Sequence, residues 1–175
     1  MGGYGSGFQG ARKSTVEDGL TISISAMLKK RALVPGSLTS GSWMWSYPGR
    51  EPHAKIGYVA NMIDIEDALI TLDYSANGQP MRYDVRLVYT VPRFGGRRWW
   101  CSCPLQPRNG GQPPRVAKLH LPPGGRYFAS RAHYGLTYQS SQENGARRAL
   151  FKRLARDMGA DGAAVRRALR GQYDD

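Results

Sequence analysis

The sequence predicts an α+β protein: a small antiparallel β-sheet domain, then a short two-armed β segment, then a basic C-terminal helical region. Three observations carry that prediction. Between Ser42 and Val91, apolar and polar residues alternate in four runs, the period of half-buried strands. Residues 97–138 hold two further β-type runs, each ending in a turn. Beyond them, Ala146, Leu150, Leu154 and Met158 recur every four residues, the spacing of one helix face.

The elements follow in chain order. Residues 1–13, MGGYGSGFQGARK, are glycine-rich and read as a flexible arm. Its Tyr4 and Phe8 suit stacking and its Arg12 and Lys13 suit phosphate, while Met1-Gly2 with Ser6 also matches an N-acylation pattern that any Gly/Ser leader produces. A domain over 14–91 begins with Thr15 and Asp18, an N-cap and an acidic first turn, and a short helix over Ser25–Leu33 that Pro35-Gly36 stops. Strands are expected at Ser42–Tyr47, Ala54–Met62, Leu69–Tyr74 and Met81–Val91, broken at Pro48-Gly49, Ile63–Asp67 and Asn77-Gly78. Asn-Gly between two alternating runs is a hairpin signal, so the four form an antiparallel meander with one buried face. Pro92–Gly96 is the hinge into the segment 92–139. A tail over 140–175 opens on Ser140-Ser141-Gln142-Glu143, a capping box, and its first helix ends at Gly159; Asp161 caps a second through Arg170.

Bulk properties narrow the function classes. A chain of 175 residues buries a core without staples. No apolar run reaches the roughly 20 residues of a membrane span, and no signal-peptide core precedes the domain. The two cysteines, Cys101 and Cys103, stand one residue apart, too close for an unstrained disulfide. Free thiols and a cytoplasmic location are therefore expected. The net charge of +12 is divided unequally: residues 1–88 carry nine Lys/Arg against eight Asp/Glu, residues 89–175 sixteen against five. Fourteen of those sixteen are Arg, whose planar fork suits phosphate contact and base stacking. The second half is expected to meet a polyanion.

Residues 97–138 have the layout of a zinc ribbon, two β arms with a turn at each end, but few of its ligands. One turn offers Cys101 and Cys103, the other Ser130 and His133, and His120 lies in the second arm. Structural zinc wants four thiolate or imidazole ligands, commonly paired as C-x₂₋₄-C, so Cys101, Cys103, His120 and His133 make a contrived set. The expectation is no metal, with Cys103 and the tryptophans filling a small core.

The segments Met1–Gly7, Lys13–Gly19, Phe94–Trp99, Arg115–Leu121 and Gly124–Tyr138 resemble a family of uncharacterised zinc-ribbon-like proteins of proteobacterial mobile elements and prophages. The resemblance implies a degenerate zinc-ribbon-like segment, since the four family cysteines fall on Cys103, Gln112, Ser130 and His133. Only Cys103 is kept, with His133 a substitute ligand. It implies a setting and no activity.

Nucleic-acid contact is the leading expectation. Arg97-Arg98-Trp99-Trp100 and Arg126-Tyr127-Phe128 interleave cations with rings, and Arg115, Lys118 and Arg131 surround the same arms. Because neighbours on a strand face opposite ways, one tryptophan is expected inside and the other outside. Arg147, Arg148, Lys152, Arg153 and Arg156 would lay the helical tail along a phosphate backbone, or form a solvated basic face. An enzyme is not expected. Asp64, Glu66, Asp67 and Asp73 cluster in the first half and could hold a metal for a nuclease, but they fall in or beside a turn where acids are ordinary solvated residues, and no triad spacing stands out. The expected protein is a non-catalytic DNA- or RNA-binding protein of a mobile element or phage. The rivals are an interaction module or inhibitor that docks onto a host or defence ribonucleoprotein complex, and a structural subunit of a larger assembly.

Overall fold

A computed structural model of the chain describes residues 14–46, 51–106 and 110–142, together with Gly145, Leu150 and Arg153. The expected arm, the Pro48-Gly49 break and most of the basic tail, including Arg147, Arg148, Lys152 and Arg156, lie outside the described residues. The chain divides into two units, residues 1–136 and 137–175.

Alternation dictates the first unit. Six strands run as a plain antiparallel meander in sequence order: β2 (Leu38–Trp45), β3 (Ala54–Asn61), β4 (Leu69–Ala76), β5 (Gln79–Thr90), β6 (Arg98–Ser102) and β7 (Arg115–Val116). Four of these overlap the four runs that the period-two pattern marks. Ile56, Tyr58 and Ala60 of β3, Ile70, Leu72, Tyr74 and Ala76 of β4, and Met81, Val85 and Leu87 of β5 all turn inward, and their neighbours turn out. The registers align these rows, with Tyr58 opposite Leu72 and Leu72 opposite Tyr83. Asn77 and Gly78 both have positive φ, 52° and 76°, the left-handed pair that a two-residue hairpin matched to strand twist requires.

A second, smaller layer covers the inner face. β1 (Leu20–Ser23) pairs antiparallel with β8 (Lys118–Leu121), Leu20 standing opposite Leu121. The helix α1 (Ile24–Lys29) follows β1, and Ile22, Ile24, Met27, Leu33, Leu119 and Phe128 join the buried residues of the sheet in one core. Gly19 is obligatory at the entry to β1, because a Cβ there would sit 2.4 Å from the Leu121 carbonyl oxygen. Thr15 and Asp18 form the expected local contact, the Thr15 N–H and hydroxyl donating to the same Asp18 carboxylate oxygen at 2.8 and 2.7 Å. They brace a 3₁₀ turn that leads into a strand, not a helix. The helix itself is shorter than Ser25–Leu33, since Arg31 turns left-handed at φ 55° and the Ala32 N–H returns to the Met27 carbonyl.

Phe128 seats the layers together. It has no exposed surface, stacks on Trp45 with centroids 6.0 Å apart, and meets the edge of Tyr74 at 5.3 Å. Its backbone N–H donates to the Tyr83 hydroxyl at 2.9 Å, and the Tyr74 hydroxyl donates to the Arg126 carbonyl at 2.7 Å. Burial raises the pKa of both phenols, so they remain neutral donors.

The α+β expectation is corrected: the chain is mostly antiparallel β, with strand over 43% and helix over 13% of the described residues. Two causes account for it. Alternation resumes after the Pro92–Gly96 turn, so residues 98–116 add β6 and β7 to the same sheet. The described residues include no basic C-terminal helical region; in the second unit residues 139–142, Gly145, Leu150 and Arg153 are helical, and the Gln142 amide donates to the Thr137 hydroxyl at 2.8 Å.

Replacing Phe128 by Ala is expected to cost about 3–5 kcal/mol, the range for emptying a buried ring site. Phe94→Ala, whose ring is fully exposed, should stay within about 0.5 kcal/mol of wild type in the same urea titration.

Candidate nucleic-acid interface

Strand β6 decides which aromatic faces solvent. Trp99 and Cys101 turn inward with the core; Arg98, Trp100 and Ser102 turn outward. The register places Trp100 opposite Val88, Arg98 opposite Thr90, and Arg115 of β7 opposite Ser102. The Trp100 indole N–H donates to the Thr90 hydroxyl at 3.0 Å, which fixes the ring plane on the open face. The Arg98 guanidinium lies over that ring, 4.3 Å from its centroid. Trp99 is corrected as a contact residue: it is 7% exposed and packs on Tyr89 at 5.2 Å. Arg97 reaches back over the Tyr89 ring at 5.2 Å. Thr90 was not singled out from sequence, although its place two residues beyond Val88 in an alternating strand puts it on this face.

The remaining candidates stand in other groups. Lys118 and Arg131 flank His120, and with burial first and these two cations next they hold its imidazole below its ordinary pKa. The Arg131 guanidinium also donates to the Leu136 carbonyl at 2.9 Å. Arg126 donates to the Gln79 amide oxygen beside the β4–β5 hairpin, and the Tyr127 ring tilts on Tyr83 at 5.2 Å. Arg153 is exposed in the second unit. Within the first unit the candidates therefore stand in separate groups, and β6 presents a cation stacked on an outward tryptophan; the other cation–tryptophan pair, Lys30 over Trp43 at 5.2 Å, lies on the core side of β2.

The stretch that carries β6 and β7 is one-signed in sequence, although Asp84 stands in the outward row of β5 and accepts the Thr71 hydroxyl at 2.6 Å. Residues 85–142 include nine Lys/Arg and no Asp or Glu. The other acids nearest in sequence are held by residues of β5 or within their own turn. Asp67 pairs with Arg86 at 3.6 Å, Glu66 accepts the Tyr89 hydroxyl, Asp64 accepts the Glu66 N–H at 2.9 Å, and Asp73 pairs with Arg82 at 3.7 Å. Among the described residues no three His, Cys, Asp or Glu side chains stand close enough to share a metal ion.

The ribbon turns do meet. The Ser130 N–H donates to the Cys103 sulfur at 3.3 Å, and the Ser130 hydroxyl accepts the His133 N–H at 3.1 Å. The chain thus brings together three of the four positions where the resemblance places cysteines, and Gln112 is exposed in the loop before β7. One thiol, one imidazole, a hydroxyl and an amide do not fit a tetrahedral zinc site. The other two candidate ligands are committed: the Cys101 thiol donates to the Val116 carbonyl at 3.1 Å, and His120 Nδ1 bonds the Thr21 hydroxyl at 2.8 Å. Burial, with the neighbouring Cys103, pushes the Cys101 thiol up to about 12.

Both cysteines are free and buried, so a thiol reagent at neutral pH should titrate neither in the native protein and both after denaturation. His120 supplies a pH test. Its folded pKa lies below the unfolded value near 6.5, so the unfolded chain binds the proton more readily. Its contribution is present above that value and is lost as pH falls through it towards the folded pKa. The melting temperature of His120→Asn should therefore fall less steeply over that interval than that of wild type.

No helix among the described residues is long and apolar enough to cross a membrane. Comparison of the chain with family models, with curated proteins and with solved structures finds no match.

Proposed function

We propose that the protein binds nucleic acid without catalysing a reaction on it, and that the open face of β5–β7 is the contact surface. The observation that carries this reading is the Arg98–Trp100 stack on β6, in a stretch, residues 85–142, that has no acidic residue. A ring held by Thr90 is pre-organised to receive an unpaired base, and the guanidinium over it can move aside to a phosphate. Arg115 adds a cation on the same face at the far end of β6, opposite Ser102. Such a platform suits a single-stranded DNA or RNA segment, because bases in a duplex keep their faces stacked. The setting we propose, a mobile element or phage in the bacterial cytoplasm, rests on the resemblance of the motif-bearing segments and on the two free cysteines.

Fluorescence anisotropy with a single-stranded oligonucleotide tests the reading. Affinity should fall linearly in log–log form with salt, and Arg115→Ala should reduce the slope by about 0.7, the value for one single-strand phosphate. Trp100→Ala should weaken binding about 5- to 150-fold, the equivalent of about 1–3 kcal/mol for one stacked base. Absence of binding at low salt, or a Trp100→Ala protein that binds like wild type, would overturn it.

A further inference from the structure

The two edges of the six-stranded sheet are built differently. β7 is two residues long, carries Arg115 and follows Pro113-Pro114, all features that discourage another strand from adding there. β2 is eight residues long, Leu-Thr-Ser-Gly-Ser-Trp-Met-Trp, with no charge and no proline. Among the described residues nothing pairs with its outer side.

Hydrogen-bond phase shows what that edge offers. Ser37 and Met62 continue the β2–β3 register, and the Met62 N–H donates to the Ser37 carbonyl at 3.0 Å. Odd-numbered residues of β2 thus bond to β3, and the backbone groups of Leu38, Ser40, Ser42 and Met44 point away from the sheet. The side chains of these same four residues stand on the open face, where Leu38 is 59% and Met44 55% exposed.

We infer that β2 pairs antiparallel with β2 of a second copy, about a two-fold axis at Gly41. In that register Leu38 faces the partner's Met44 and Ser40 faces the partner's Ser42. These are the pairs whose backbone groups point outward, so about eight main-chain hydrogen bonds form. The two exposed apolar side chains cover one another, and the hydroxyls meet in the middle. Gly41 lies on the axis, where paired backbones approach most closely. A strand without charge permits this contact between two molecules that each carry a net +12. The result is one continuous sheet with both open faces on the same side.

Sedimentation equilibrium of the full chain should report twice 19.4 kDa. Leu38→Lys and Met44→Glu should each shift the protein to monomer, and the double variant, in which the two new charges face each other across the axis, should restore the dimer. Both positions are exposed, and circular dichroism checks that the variants fold. Amide exchange of the wild type is independent of the variants: the N–H groups of Leu38, Ser40, Ser42 and Met44 should become protected as concentration rises. A mass of 19.4 kDa at every concentration, a dimer indifferent to the single variants, a double variant that stays monomeric, or four amides that exchange freely throughout would each overturn the inference.

Discussion

Covering the inner face of the meander is the constraint on which the fold depends. Each strand from β3 to β6 turns an apolar row to the same side, and a sheet with one apolar face is unstable until something packs on it. Among the described residues of the first unit, one six-residue α-helix serves that task. The rest of the cover comes from the β1–β8 ribbon and the stretch around Phe128, which meet over the sheet from opposite ends of the unit. The Tyr74 and Tyr83 hydroxyls anchor that stretch by its backbone, so its position does not depend on side-chain packing alone. Removing either partner of such a bond would leave a polar group stranded in the core.

The same constraint fixes the chemistry of the open face. Once Trp99 and Cys101 are committed inward, strand geometry leaves Arg98, Trp100 and Ser102 outward with no further choice. The cation–ring pair is therefore a consequence of core packing on the other side of the strand. It also explains why the two cysteines are buried. They share the inner face, two residues apart, where the space that a ribbon would give to metal is filled by a Val116 carbonyl on one side and the Ser130 turn on the other.

Much of the sheet was legible in the sequence because period-two alternation and Asn77-Gly78 are local signals. So was the division of Trp99 from Trp100, although not which of them would be buried. The fold class was not legible. The four-residue spacing after Ala146 weighed towards helix, while the alternation that continues from Arg98 to Leu121 was read as a separate ribbon. β1 was missed for a physical reason: Leu20–Ser23 is a four-residue strand whose partner lies about a hundred residues away, and no local pattern announces such a pairing. Composition picked out the basic candidates by type alone and could not say that Lys118 and Arg131 flank His120 while Arg98 lies on Trp100.

The pairing of Leu20 with Leu121 also orders events on the ribosome. The hairpins of the meander close between neighbours in sequence and can form as they emerge. β1 is made first and must wait for β8, and Phe128 appears later still. Until then the growing chain shows a half-covered apolar sheet, and closing so long a loop is a slow step. β1 is thus made well before the strand it pairs with, so closure of the unit follows emergence of β8, not the order of its sequence.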